Sequence, residues 1–132
     1  MNLEYSFERT VTAEPLARLY DRAGLRRPTG DLPRMQRMID HSSLILSAWD
    51  GERLVGVARA LSDDGFVCYL SDLAVDPDCQ RQGVGRELVR RLRERLGPEV
   101  QLLLLAAPSA KDYYGHIGFT HLDNAWALPR ER

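Results

Sequence analysis

The segment Gln80–Gly85, with the sequence Gln-Arg-Gln-Gly-Val-Gly, constrains the fold of this chain more than any other stretch. It follows an apolar run, Tyr69–Val75, that is typical of a strand, and it precedes an amphipathic run, Arg86–Leu96, that is typical of a helix. The first N–H groups of a helix lack intrahelical acceptors and carry partial positive charge. Glycines let an anion approach these groups where a Cβ would block it. The pattern therefore predicts a phosphate-binding loop, with Arg81 and Arg86 adding positive charge on either side.

The rest of the chain predicts one mixed-sheet α/β domain over residues 1–132, because no repeat or linker interrupts it. Asp50-Gly51 and Asp64-Gly65 are typical of tight turns between neighbouring strands. The expected element order is β-α-α-β-β-β-α-β-α-β. We expect strands at about 3–11, 44–49, 53–61, 66–75, 100–106 and 118–128, and helices at about 12–24, 31–39, 85–96 and 108–116.

Composition excludes several classes of protein. The formal net charge of -1 argues against a dedicated nucleic-acid binder. No apolar stretch approaches the ~18 residues that a membrane span needs, and the first residues do not have the order of a signal peptide. Cys68 and Cys79 have no metal-type spacing, so we expect reduced thiols in a cytoplasmic protein without a metal.

Three kinds of phosphate loop could explain the segment Gln80–Gly85. A Walker A loop requires Gly-Lys-Ser/Thr after four intervening residues, and that string is absent. A dinucleotide fingerprint requires glycine or alanine where Leu88 stands, and it would open the first βαβ unit instead of lying past mid-chain. The remaining interpretation is a pyrophosphate site for coenzyme A.

Two motifs make this chain resemble the GNAT superfamily of N-acetyltransferases. The first is Leu73–Pro77 followed by Gln80–Gly85 and an amphipathic helix. The second is Tyr113–Phe119, in which Tyr114 lies four residues before Gly-Phe. The match runs from about residue 44 to residue 119, and the spacing between the motifs makes it specific.

The resemblance implies a fold in which two parallel strands, 66–75 and 100–106, splay apart and form a cleft for acetyl-CoA as co-substrate. The first strand would offer backbone groups to pantetheine, the loop would hold the pyrophosphate, and the short helix would flank the thiol end. The cofactor-binding residues implied in this way are Leu73, Ala74, Val75, Gln80, Arg81, Gln82, Gly83, Val84, Gly85, Arg86, Ala110 and Tyr114.

The chemistry would be direct attack of a neutral primary amine on the thioester. A backbone N–H near Ala74 or Val75 would polarise the carbonyl. Tyr114 is the candidate general acid for the departing thiolate, and the alternative is a purely packing role. Asp72 is the candidate general base, and the alternative is a carboxylate that fixes a loop or a salt bridge. His41, His116 and His121 have no placement that favours a catalytic role.

The expected function is transfer of an acetyl group to a small aromatic or alkyl amine, with a lysine-type acceptor as the second choice. Aromatic residues available for an acceptor pocket are Tyr20, Trp49, Phe66, Tyr69 and Trp126. The family's frequent asparagine after the second splayed strand is replaced by Ala107-Pro108, and its glutamate base on the central strand is missing. These departures leave open an acyl-CoA sensor that has lost turnover, or a structural subunit. The resemblance also allows a homodimer.

Overall fold

The computed structural model describes residues 2–132, and its centre is one five-stranded sheet whose strands lie side by side in chain order. The first three pairs of neighbouring strands are antiparallel, and the last pair, formed by the fourth and fifth strands, is parallel. The strands are β1 (Glu4–Ser6), β2 (Leu44–Asp50), β3 (Arg53–Ser62), β4 (Val67–Val75) and β5 (Gln101–Leu103). The predicted mixed α/β fold is therefore confirmed.

Four helices cover the two faces of the sheet. They are α1 (Ala13–Ala23), α2 (Leu32–Asp40), α3 (Val84–Leu96) and α4 (Tyr113–His116), with single 3₁₀ turns at Pro77–Cys79 and Pro108–Ala110. One core joins α1 and α2 to the sheet, where Tyr20, Met35 and Val57 are fully buried. A second core packs α3 on the opposite face, with Leu88 and Leu92 fully buried. The helices α1, α2 and α3 therefore bury apolar residues of the stripes that their periodicity predicts.

The ends of α1 and α2 follow the expected capping signals. Gly24 closes α1 in the left-handed conformation, with φ of 76°, which an L side chain rarely adopts. The side chain of Asp31 accepts a hydrogen bond from the Arg34 N–H at 3.1 Å and so caps the start of α2. These caps fix the loop between the two helices at the edge of the cleft described below.

Strands β4 and β5 pair over only three residues each, Val67–Tyr69 with Gln101–Leu103. Beyond Tyr69, β4 continues to Val75, whereas the chain after Leu103 has no strand partner among the described residues. The two parallel strands therefore splay apart, as expected. The separation leaves one edge of β4 without a neighbouring strand.

A bulge in β4 changes the direction of its side chains beside this opening. Ala60 pairs with Leu70 and Arg59 pairs with Asp72, so Ser71 is the extra residue. Leu70 packs into the core under α3, whereas Asp72, two residues later, bonds to Tyr20 of α1. The bulge thereby directs Asp72 away from α3 and Leu73 towards it.

The last predicted strand, 118–128, is wrong, since no strand follows Leu103 in the described part of the chain. Trp126 is 96% exposed and Leu128 is 100% exposed, so this segment buries little apolar surface. A strand needs a neighbouring edge for its backbone hydrogen bonds, and β5 is only three residues long. The other predicted elements are present, although β1 and β5 are shorter than expected and a 3₁₀ turn precedes α4.

Candidate functional site

A cleft of about 1360 Å³ opens where β5 separates from β4. Of the described residues that the sequence assigns to cofactor binding, all except Gln82 line this cleft. Gln82 instead lines a smaller hollow beside Tyr5, and its side-chain amide donates to the Asp78 backbone oxygen at 3.5 Å. All the others line the cleft: Leu73, Ala74, Val75, Gln80, Arg81, Gly83, Val84, Gly85, Arg86, Ala110 and Tyr114.

The predicted phosphate loop forms the start of α3. The first intrahelical hydrogen bond runs from the Glu87 N–H to the Gly83 oxygen at 2.9 Å, so the amides of residues 83–86 precede the helical ladder. Gly83 has φ of 80°, and Arg81 has φ of 64° although it is not glycine. A non-glycine residue in the left-handed region stores strain, and such residues cluster at ligand sites. The loop therefore has the free amides and the backbone shape of an anion site.

Gly85 lies against the side chain of Tyr113. A Cβ added at Gly85 would overlap the Tyr113 hydroxyl, so this glycine permits the close approach of α4 to α3. Tyr113 also lines the cleft, and burial raises the pKa of its phenol while Arg86 opposes the rise. Tyr113 is not among the residues predicted for the site, because nothing in the local sequence pattern shows that it reaches the loop.

The backbone of β4 presents alternate residues to the cleft. The Ser71 oxygen accepts from Arg27 Nη2 at 2.8 Å, and the Val75 oxygen accepts from Gln80 Nε2 at 3.1 Å. On the opposite side, the Asp76 N–H donates to Val55 of β3 at 2.7 Å. The side of the backbone groups alternates along a strand, so the N–H groups of residues 73 and 75 face the cleft. The backbone N–H of Ala74 faces β3 instead. It is therefore a poor candidate for the N–H that was expected, near residues 74 and 75, to donate to the thioester carbonyl.

Tyr114 lies in the cleft wall and is held by aromatic contacts. Its ring makes edge contacts with Tyr113 and Phe119 at centroid distances of 5.3 Å and 5.5 Å. Gly118, with φ of 102°, turns the chain so that the Phe119 N–H donates to the Tyr114 oxygen at 3.0 Å. This turn explains the spacing of the second motif. Burial, and then the neighbouring Tyr113, raise the pKa of Tyr114, so its phenol stays protonated at neutral pH.

Asp72 does not line the cleft, and its side chain is fully buried under it. Its carboxylate accepts hydrogen bonds from Tyr20 Oη at 2.6 Å, Arg59 Nε at 2.5 Å and Arg27 Nε at 2.5 Å. Burial alone would raise the pKa of Asp72, but the hydrogen bond and charge of Arg59, helped by Tyr20 and Arg27, lower it. A carboxylate with this pKa and these partners is unsuited to accept a proton. The geometry favours the salt-bridge interpretation of Asp72 over the predicted general base.

A second buried carboxylate, Asp76, fixes the end of β4 immediately before the loop. It accepts from Arg22 Nε at 2.7 Å, from Arg53 Nη2 at 2.9 Å and from the Asp78 N–H at 2.9 Å. The hydrogen bond from Arg22 lowers the pKa of Asp76 well below its usual range, although burial opposes this. This role of Asp76 does not follow from the sequence, because Arg22 and Arg53 are distant from Asp76 in the chain.

The aromatic acceptor pocket that the sequence allowed is not formed. Of the five aromatic residues considered for it, only Tyr69 lines the cleft among the described residues. Tyr20 and Trp49 are buried in the core, whereas Phe66 and Trp126 are 75% and 96% exposed. Of the histidines in the described chain, only His116 lines the cleft, and its backbone oxygen accepts from Arg86 Nη2 at 3.2 Å.

Within residues 2–132, no three His, Cys, Asp or Glu side chains are grouped to hold a metal ion. Both cysteines are buried thiols, and burial raises the pKa of each. None of the helices described above combines the length and apolar character that crossing a bilayer requires.

Comparison with known proteins agrees with this geometry. Residues 17–126 match the family described as acetyltransferase (GNAT) domain. An uncharacterized N-acetyltransferase, ycf52, of Gracilaria tenuistipitata var. liui is 32% identical over 126 residues, which cover 90% of this chain and 68% of that protein. The chain thus spans about two thirds of the length of that relative.

Solved structures share the fold. A probable acetyltransferase from meticillin-resistant Staphylococcus aureus superposes with a TM-score of 0.84 over 99% of this chain and 100% of that one, at 19% identity. An aminoglycoside N-acetyltransferase in complex with CoA has a TM-score of 0.72 over 99% of this chain and 96% of that one, at 15% identity. At these identities, the likeness demonstrates a common fold.

Proposed function

This chain belongs to the GNAT superfamily and is an N-acetyltransferase, and from that premise we propose that it acetylates a primary amine by direct attack on acetyl-CoA. The observation that carries the proposal is the arrangement of the cleft. The free edge of β4 connects the amide-rich loop at the start of α3 with Tyr114 on α4. Binding groups for both ends of a long thioester therefore lie in one cleft.

The loop would hold the pyrophosphate. The amides of residues 83–86 carry the partial positive charge of the α3 terminus, and Arg81 and Arg86 supply full charges beside them. The residues present therefore fit the charge of the group. Gln82, which faces away from the cleft, is left out of this assignment.

Leu73 and Val75 would bind the rest of the co-substrate through their backbones. Val75 is nearer in sequence to the loop, so we assign its N–H and oxygen to pantetheine. Leu73 lies farther along the free edge, so we assign its N–H to the thioester carbonyl in place of the Ala74 or Val75 donor expected from the sequence. A donor aimed at developing negative charge contributes about 3 kcal/mol to the transition state.

Tyr114 would act as the general acid. The amine nitrogen forms a bond to the carbonyl carbon, the carbon–sulfur bond breaks, and Tyr114 Oη gives its proton to the departing sulfur. Solvent then returns a proton to the tyrosine. The surplus proton of the attacking amine leaves through water in the cleft, since Asp72 is already engaged by two arginines. Asp72 is thus proposed as a positioning residue that holds the wall of the cleft.

Tyr114→Phe tests the mechanism. We expect kcat to fall about 100-fold or more, because general acid catalysis is lost, while the Kd for CoA changes little. Release of free CoA thiol measures kcat, and calorimetry measures the Kd. Tyr113→Phe is the matched control for loss of a phenol on the same helix, and it should leave kcat largely unchanged. Equal turnover by the wild type and Tyr114→Phe would assign the proton transfer to another group.

Residues 1–132 would act as one acetyltransferase domain. The sensor alternative gains no support from the comparisons, because the relatives carry the name N-acetyltransferase. The cytoplasmic location and a homodimer both stay predictions, as does the choice between a small amine and a lysine-type acceptor.

A further inference from the structure

In the described part of the chain, the wall of the cleft carries arginines and no acidic side chain. Among the described residues that line it, eight are arginine, and none is aspartate or glutamate. Arg81 and Arg86 belong to the phosphate loop. The other six come from the loop after α1, from α2, from β3 and from the C-terminal segment: Arg26, Arg27, Arg34, Arg59, Arg130 and Arg132.

Two of these six arginines, Arg27 and Arg59, mark a second positive region of the wall, away from the phosphate loop. Arg27 and Arg59 both contact Ser71, at the bulge of β4, whereas Gln80 and the loop contact the Val75 end of the same strand. The four residue steps from Ser71 to Val75 span roughly 13 Å of an extended strand. A pyrophosphate at the loop therefore does not neutralise the charges near Ser71.

Part of this second region is structural. Arg27 and Arg59 share the single carboxylate of Asp72. The three side chains together therefore carry a net charge of +1. The other donors of Arg27 bond to the backbone oxygens of Arg26 and Ser71. These two side chains are already committed to protein acceptors, but their surplus charge acts on any molecule in the cleft.

Arg26 and Arg34 are available to a ligand. Neither forms an ion pair with any acid in the part of the chain that the structure describes, and the Arg26 side chain is exposed. Arg34 is half-buried, and within the described chain its guanidinium makes one hydrogen bond, from Nη2 to the main-chain oxygen of Arg132, the last residue of the sequence, at 3.1 Å. A guanidinium beside a cleft that is not paired with aspartate or glutamate can bind a carboxylate or phosphate, and at Arg34 such a ligand would replace the oxygen of Arg132.

We infer that the acceptor is a small primary amine that also carries an anionic group, a carboxylate or a phosphate, which Arg34 and Arg26 bind. This inference rests on the proposed acetyl transfer and narrows its acceptor. A positive wall attracts the anionic group, and it lowers the pKa of an amine held beside it, so more of that amine is in the neutral, nucleophilic form. The same wall repels a polyamine, which carries a second cation in place of an anion.

Paired acceptors test this inference in the full chain. The carboxylate pair is 4-aminobutanoate and butylamine, the phosphate pair is O-phosphoethanolamine and ethanolamine, and 1,4-diaminobutane is the dication. Thiol release at one pH gives kcat/KM for each. We expect the anionic member of at least one pair to exceed its neutral partner and the diamine about tenfold or more, the effect of one charge-assisted hydrogen bond. The pair that shows the difference identifies the anionic group.

Arg34→Gln and Arg26→Gln test where the anion binds. Each should lower kcat/KM for the preferred anionic acceptor about tenfold, mainly through KM, and change the value for the neutral partner little. Arg37→Gln is the matched control, since Arg37 lies on the same helix but is not part of the described cleft wall.

Equal kcat/KM across the pairs, or preference for the diamine, would overturn the anionic acceptor while leaving acetyl transfer intact. A preference that survives both Arg26→Gln and Arg34→Gln would overturn the assigned binding site. If none of the five amines releases thiol, although the protein binds CoA, this inference is overturned, and thiol release with an aromatic amine or a lysine peptide would decide the proposed function separately.

Discussion

Replacing Asp72 with asparagine separates the two roles that the sequence allowed for this residue. The substitution keeps the size of the side chain but removes the charge that pairs with Arg59 and Arg27. The side chain of Arg59 is only 7% exposed, so it would stay buried without its anionic partner. Breaking a buried ion pair on one side costs about 3–5 kcal/mol of the free energy of unfolding.

The expected loss is large but measurable. A domain of this size unfolds with a free energy of roughly 7–15 kcal/mol, so Asp72→Asn should remain folded at low temperature. A loss of about 3 kcal/mol lowers Tm by about 10 °C, by the entropy of unfolding that chains of this length share. Urea denaturation and thermal scans followed by circular dichroism would measure both quantities.

Tyr20→Phe is the matched comparison. It removes one hydrogen bond to the same carboxylate but leaves both arginine partners, so its cost should be smaller, about 1–2 kcal/mol. A general base would give a different pattern. If Asp72→Asn unfolds within about 0.5 kcal/mol of the wild type and kcat falls with a changed pH profile, then Asp72 accepts the proton and the ion-pair argument is wrong.

Two further predictions concern the loop and the carboxylates. Gly85→Glu should abolish CoA binding in calorimetry, because it adds a negative charge at the proposed pyrophosphate site and a side chain where Tyr113 lies. The exposed control Gly65→Ala should bind CoA normally. Retained affinity of Gly85→Glu would contradict the proposed placement of the pyrophosphate. Acid should destabilise the protein below about pH 4, since Asp72 and Asp76 have folded-state pKa values below the unfolded value of about 3.9. The hydrogen bonds from Arg90 and Arg91 likewise hold the pKa of Glu87 at about 2. A carboxylate whose pKa is lowered in the folded state stabilises the protein above its unfolded pKa, and this stability is lost as the pH falls. Denaturation midpoints at pH 7, 5, 4 and 3 would measure the loss. A steep loss of stability already between pH 7 and pH 5 would contradict this prediction.

Local patterns predicted most of the fold correctly. Asp50-Gly51 forms the expected hairpin turn, with Asp50 paired to Arg53 and Gly51 at φ of 60°. The stripe of Leu88 and Leu92 is buried as the helical period requires. These features depend on residues that are close in the chain, so the sequence contains all the information they need. The prediction of the final strand was wrong because a strand needs a neighbouring strand edge for its backbone hydrogen bonds. At three residues, β5 is too short to supply that edge.

The sequence determined the glycine loop at the start of α3 and the turn that follows Tyr114, because a helix terminus and a four-residue turn are local structures that depend on spacing. The tertiary structure alone decided the surroundings of Asp72 and Tyr113. Tyr20 lies 52 residues from Asp72, and burial together with two arginines changes that carboxylate from a candidate base into the centre of an ion network. The proton affinity of a side chain depends on desolvation and on the charges around it, and only the folded chain brings those charges together.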